Sequence, residues 1–173
     1  MDHKSYDDEP EPQSVQDLVH VINQAGHIEN LFNQIIHDYC APREHAWYFM
    51  WSVVLDTSVM PLGNKLKVVM AVAHELKFKL TKEALYKVIQ LRNSFAHNTT
   101  YAHQVLVIGR TDEETTTHNE FHTLDSNGAL KISKRHEAFE LFNKNYEISQ
   151  AELGILVKLV KDQIAEHKGY DRS

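Results

Sequence analysis

Arg92, Asn93 and His97 are the residues of this 173-residue chain whose types and spacing are best suited to chemistry. On a helix turning about 100° per residue, Leu85, Val88, Ile89, Phe95 and Ala96 form one apolar stripe, and Arg92 falls in its middle. A guanidinium there must find an anion, because a buried unpaired charge costs several kcal/mol and arginine stays protonated. Glu29, inside its own apolar stripe between Ala25 and Phe32, is the candidate partner in a structural ion pair. The alternative is that Arg92 grips a phosphate through its two-pronged fork while His97 moves protons near neutral pH. His97 has a plain reading too, as a helix-terminal imidazole whose charge is favoured by the carbonyl end of the helix. Asn93 and His97, four apart, are neighbours on a polar face that also carries Tyr86 and Gln90. Asn98 and Tyr101 follow the helix end, and with Tyr86 and Gln90 they complete the candidate binding set. Arg92 and His97 are five apart, roughly 140° around an ideal helix, so they converge only if the helix ends near His97. Asn98, Thr99 and Thr100 favour such an end.

Other chemistries find less support. None of the pairs among the twelve histidines has metal-ligand spacing with a third ligand, and His74-Glu75 lacks the second histidine of a zincin helix, so no metal and no cofactor is expected. One cysteine, Cys40, excludes an internal disulfide and suits a reducing compartment, which points to the cytoplasm. There is no glycine-rich phosphate loop and no serine nucleophile elbow. A net charge of −6 argues against strong, sequence-indifferent binding to polyanions. Positive charge is concentrated locally, at Lys65, Lys67, Lys77, Lys79, Lys82 and Lys87, which is a solvated helix face or, beside His97, a local contact for nucleic acid.

These side chains need a scaffold. With 42% hydrophobic and 24% charged residues, the chain can bury a full core within a single domain. The longest near-apolar run, Ala46 to Leu55, is about half of the roughly 20 residues a membrane helix requires, and the acidic N-terminus is unlike a secretory signal, so no membrane association is expected. Residues 1–13 read as a loose acidic tail. A long amphipathic helix is predicted over about 14–40, begun by Ser14 and Asp17. A second, at 44–56, is ringed by Trp47, Phe49, Met50, Trp51, Val53, Val54 and Leu55, which makes it central or an interface. Trp47, Tyr48, Phe49 and Trp51 are therefore core or dimer contacts rather than a base-stacking platform. Pro61, Gly63 and Asn64 mark a loop before a third helix, and Thr81 caps a fourth over about 82–97. Val105 to Ile108, Phe121 to Leu124 and Leu130 to Ile132, with a turn at Asn127-Gly128, predict a small antiparallel β insert at about 103–134. The segment 111–120 is its polar, flexible tip. Helix resumes near His136, and Ser149 with Glu152 reads as the capping box of a last one. The fold class is mainly α: an up-and-down bundle of five to six helices with a small antiparallel β insert, over residues 14–170.

Arg92-Asn93-x-x-x-His97 resembles the Arg-x4-6-His signature of the HEPN superfamily of helical-bundle proteins. Pro61-Leu62-Gly63-Asn64-Lys65 before one helix, and Leu91-Arg92-Asn93-Ser94-Phe95-Ala96-His97 closing the next, are similar to the mannitol operon repressor branch. The likeness covers about residues 15–100. It implies one of two behaviours. In the first, the protein is a metal-independent endoribonuclease, a toxin or defence component working as a homodimer whose two motifs face one RNA cleft. His97 then assists 2′-hydroxyl attack or leaving-group protonation, Arg92 stabilises the phosphorane, and Asn93 positions one or the other. In the second, it is a non-catalytic regulatory or scaffolding module that acts through a protein partner or antitoxin. The toxin subgroup paired with a minimal nucleotidyltransferase carries tyrosine two residues after the histidine, where this chain has Thr99; Tyr101 comes two residues later.

Overall fold

The computed structural model describes residues 12–41, 43–97, 103–107, 116–124 and 129–170. Helix α1 spans Pro12–Cys40 and buries Val21, Ala25, Ile28, Phe32, Ile35 and Ile36, the three- and four-residue steps of a one-sided helix. It begins earlier than its expected cap: Pro12 and Gln13 already belong to it, and the rest of the predicted tail lies outside the described residues. Asp17 lies beyond the first turn, so it is not part of the helix start; it is buried and accepts from Arg135 Nε at 3.4 Å. The helix stops at Ala41, whose φ of 41° is left-handed, with its N–H donated to the carbonyls of His37 and Asp38.

The second predicted helix is neither uniform nor central. Helix α2, Glu44–Phe49, widens into a π-helical turn over Met50–Val54, closed by the Leu55 N–H to Met50 carbonyl bond at 3.0 Å. Of its apolar ring only Leu55 is buried, while Trp47, Tyr48, Phe49 and Val53 are exposed. The reason is location: this segment lies against one side of α1, where His37 meets the edges of Trp47 and Trp51 at centroid distances of 5.2 and 5.6 Å. The two indoles stack on each other at 6.2 Å.

Helix α3, Leu62–Glu75, takes Gly63 and Asn64 into its first turn, so the predicted loop ends at Pro61. Helix α4, Lys82–His97, has the predicted limits. Thr81 precedes it, and both its N–H and its hydroxyl are donated to the Glu152 carboxylate, at 2.7 and 2.6 Å. Three antiparallel strands follow in the order β1-β2-β3: His103–Val107, Thr116–Leu124 and Leu130–Lys134. His103 pairs with Glu120, Glu120 with Lys134 and Leu124 with Leu130. Thr116 to Glu120, expected in the flexible tip, are instead paired with β1, where the β-branched threonines suit a strand; residues 111–115 lie outside the described residues. Ile108 and the Asn127-Gly128 turn lie outside the described residues. Phe121 anchors the sheet to the bundle, buried 4.4 Å from the ring of Phe95.

A single helix, α5, runs over Arg135–Tyr170. No new helix starts at Ser149, because Ala138, Phe142, Tyr146, Ser149, Leu153, Leu156 and Val160 are all buried in unbroken three- and four-residue steps. A continuous core-facing stripe outweighs a local capping pattern. The Ser149 hydroxyl is buried without a hydrogen-bond partner, and Glu152 has turned to Thr81. Helix α1 packs on α3, α4 and α5 around one apolar core, so the chain is a mainly α bundle with a small antiparallel β insert between α4 and α5.

Candidate functional site

Helix α4 presents the motif. Ala84, Leu85, Val88, Leu91 and Phe95 are buried, and Arg92 falls between Val88 and Leu85 on the helical wheel. It lies to one side of the stripe's centre and is half-buried rather than sealed in the core. Tyr86, Asn93 and His97 lie on the opposite, exposed face, with Gln90 half-buried among them. Arg92 is drawn toward this face because its Nη1 donates to Asn93 Oδ1 at 3.1 Å. One guanidinium is thereby oriented by a residue that stands one turn before the imidazole. Lys82 Nζ sits 5.4 Å from the centroid of the Tyr86 ring, and Lys87 Nζ donates to Gln90 Oε1 at 2.8 Å. Cation, aromatic ring, amide and imidazole thus follow one another along α4. Asn98 and Tyr101 lie outside the described residues.

Glu29 has a closer partner than Arg92. Lys65 Nζ donates to Glu29 Oε1 at 2.5 Å, and the Thr57 hydroxyl donates to the same oxygen. Burial alone would raise the Glu29 pKa; the hydrogen bonds from Lys65 and Thr57, then the charges of Lys65 and Arg92, more than offset this and hold it below the ordinary value. Arg92 is therefore within electrostatic reach of Glu29, while the carboxylate's direct ion pair is to Lys65. The side chain of Lys65 is fully buried, which removes it from the local basic contact expected of the lysines. Its signal was present in the sequence: Lys65, Leu66, Val69, Val72 and Ala73 share the buried face of α3, and a lysine on such a face requires an anion. At the lip of the same cluster, Asp56 accepts from the Ser58 hydroxyl and N–H at 2.5 and 2.9 Å. Those bonds, with a smaller contribution from Lys65, lower its pKa.

Two exposed histidines of α1 are bonded to α5. His27 Nδ1 lies 2.8 Å from the Tyr146 hydroxyl, whose pKa burial raises, and His20 Nε2 lies 3.0 Å from Asn143 Oδ1. Among the described residues no group of three or more His, Cys, Asp or Glu side chains is placed to hold a metal ion. No helix of the described residues is long and apolar enough to cross a membrane. Comparison of the chain with family models, with curated proteins and with solved structures finds no match in any of the three.

Proposed function

We propose that this protein is a metal-independent endoribonuclease of the HEPN type, a cytoplasmic toxin or defence component whose reactive site is built from Arg92, Asn93 and His97 of two copies. The observation that carries the reading is the division of charge around Glu29. Lys65 and Thr57 occupy the carboxylate, while Arg92 bonds Asn93 on the face that bears His97. A guanidinium held at the border of a solvent-facing polar strip suits a phosphate better than one sealed in a core.

In this reading RNA lies along the exposed face of α4, with phosphates near Lys82 and a base against Tyr86. One His97 takes the proton of a ribose 2′-hydroxyl, and that oxygen attacks the adjacent phosphorus. The P–O5′ bond breaks, and the 5′-oxygen leaves with a proton from the second His97. Arg92 stabilises the charge that grows on the phosphorane oxygens, and Asn93 fixes Arg92 in place. The products are a 2′,3′-cyclic phosphate and a 5′-hydroxyl.

A second reading is supported by a different observation: Trp47, Tyr48, Phe49 and Val53 are all exposed around one short helical segment, which would offer a protein partner large apolar side chains, as a regulatory or scaffolding module would need. Incubating the purified protein with mixed RNA in EDTA separates the two. Fragments ending in cyclic phosphate support the nuclease, and intact RNA overturns it in favour of the module.

A further inference from the structure

The outer face of α5 bears a hollow that no other element covers among the described residues. Glu147, Gln150, Ala151, Gly154, Ile155 and Lys158 line a shallow hollow of about 390 Å³ on that face. Ile155 is half exposed, and Leu159, one turn on, is exposed as well. Gly154 sits deep inside a 36-residue helix, where glycine is destabilising relative to alanine. Its own fold does not require it, because a Cβ added there meets nothing within 4 Å. With no side chain at Gly154 and only a methyl at Ala151, this stretch of the face leaves room for another backbone to come close.

The charges identify what approaches. Glu147 and Lys158 are 11 residues apart, close to three full turns, so they lie on the same face at either side of the hollow. A two-fold axis centred between Glu152 and Leu153 along the helix sets Glu147 of one copy against Lys158 of the other. The same operation sets Gln150 against Ile155 and Ala151 against Gly154. Small residues meet at the centre, where the helices come closest, and opposite charges meet at both ends. Such self-complementarity is what an isologous contact demands. Lys144 and Lys161 share this face, and a crossing near −50°, the commonest for packed helices, carries these like charges apart.

We infer that α5 pairs with α5 of a second copy of this chain, antiparallel, through Glu147, Ala151, Gly154, Ile155 and Lys158. This contact is independent of the nuclease reading and distinct from the one that would join two copies of His97. Glu152 is bonded to Thr81, at the opposite end of α4 from His97 and about 24 Å from it along the axis. Two such contacts on one chain build an assembly larger than a dimer.

Light scattering across a concentration series tests it, with Glu147→Lys, Lys158→Glu, the double reversal and Gly154→Lys compared with the wild type. The wild type is expected at a multiple of the 20.0 kDa chain mass. Each single reversal should raise the concentration for half-assembly about tenfold, since both symmetric pairs turn from attraction to repulsion, and the double reversal should restore it. Gly154→Lys should lose the contact yet melt higher, because lysine is the better helix former. A wild type that stays monomeric overturns the inference. So do single reversals with unchanged assembly, or a double reversal that fails to rescue.

Discussion

Lys65 Nζ lies 2.5 Å from Glu29 Oε1, a fully buried ammonium of α3 held against a carboxylate of α1. Arg92 acts on the same carboxylate only through its charge and donates its hydrogen bond to Asn93 instead.

Breaking the pair from either side should be costly, but unequally. Glu29→Gln leaves a buried ammonium facing an amide and should destabilise the fold by about 3 kcal/mol or more. Lys65→Met should cost less, because Glu29 retains Thr57, some solvent and the charge of Arg92. Urea unfolding measures both, and equal losses below about 1 kcal/mol would show the pair to be an exposed one.

The acid limb of stability should carry the same signature. Glu29 titrates below its ordinary value of 4.5 in the folded chain. A depressed carboxyl contributes stability that is fully present above its unfolded pKa and is lost as pH falls through the folded one. The urea midpoint of the wild type should therefore decline as pH drops below about 4.5, and Glu29→Gln should flatten that decline. Parallel acid limbs in the two proteins would contradict the shift.

Ser149 and Glu152 offer a test of local against tertiary control. If they formed a capping box, Ser149→Ala would cost about 1 kcal/mol. With its hydroxyl buried and unbonded, the same change should be neutral or stabilising. Glu152→Ala should instead lose about 1–2 kcal/mol, by releasing the N–H and hydroxyl of Thr81 at the start of α4. Thermal melts of the two variants should move in opposite senses or differ by that amount.

The same pair shows what the sequence makes legible. Helix α4 could be read to its limits, since Thr81, the Leu85 to Phe95 stripe and the polar residues after His97 all agree. The β insert was readable from its β-branched runs, though Thr116 to Glu120 look like loop until β1 is there to pair with them. Ser149-x-x-Glu152 misleads because a capping box is a short-range pattern, and the partner that claims Glu152 lies 71 residues away. Trp47, Tyr48 and Phe49 mislead for a related reason: hydrophobicity says that a side chain favours burial, and not whether this chain alone provides a cover. In the candidate site, Glu29 was legible as a structural ion-pair member. Its partner Lys65 is easily passed over among six nearby lysines that read as solvated charge, although the apolar steps of Leu66, Val69, Val72 and Ala73 already mark its face.

The most direct test of the proposed site is the single-turnover rate of RNA cleavage in EDTA, measured for the wild type and for His97→Ala, with folding checked by the melt. His97 is exposed at the end of α4, so its removal should leave the melt nearly unchanged. The account predicts metal-independent cleavage in the wild type and a fall of about 100-fold or more in the variant. Wild-type RNA left intact, or a variant that cuts at the wild-type rate, would contradict it.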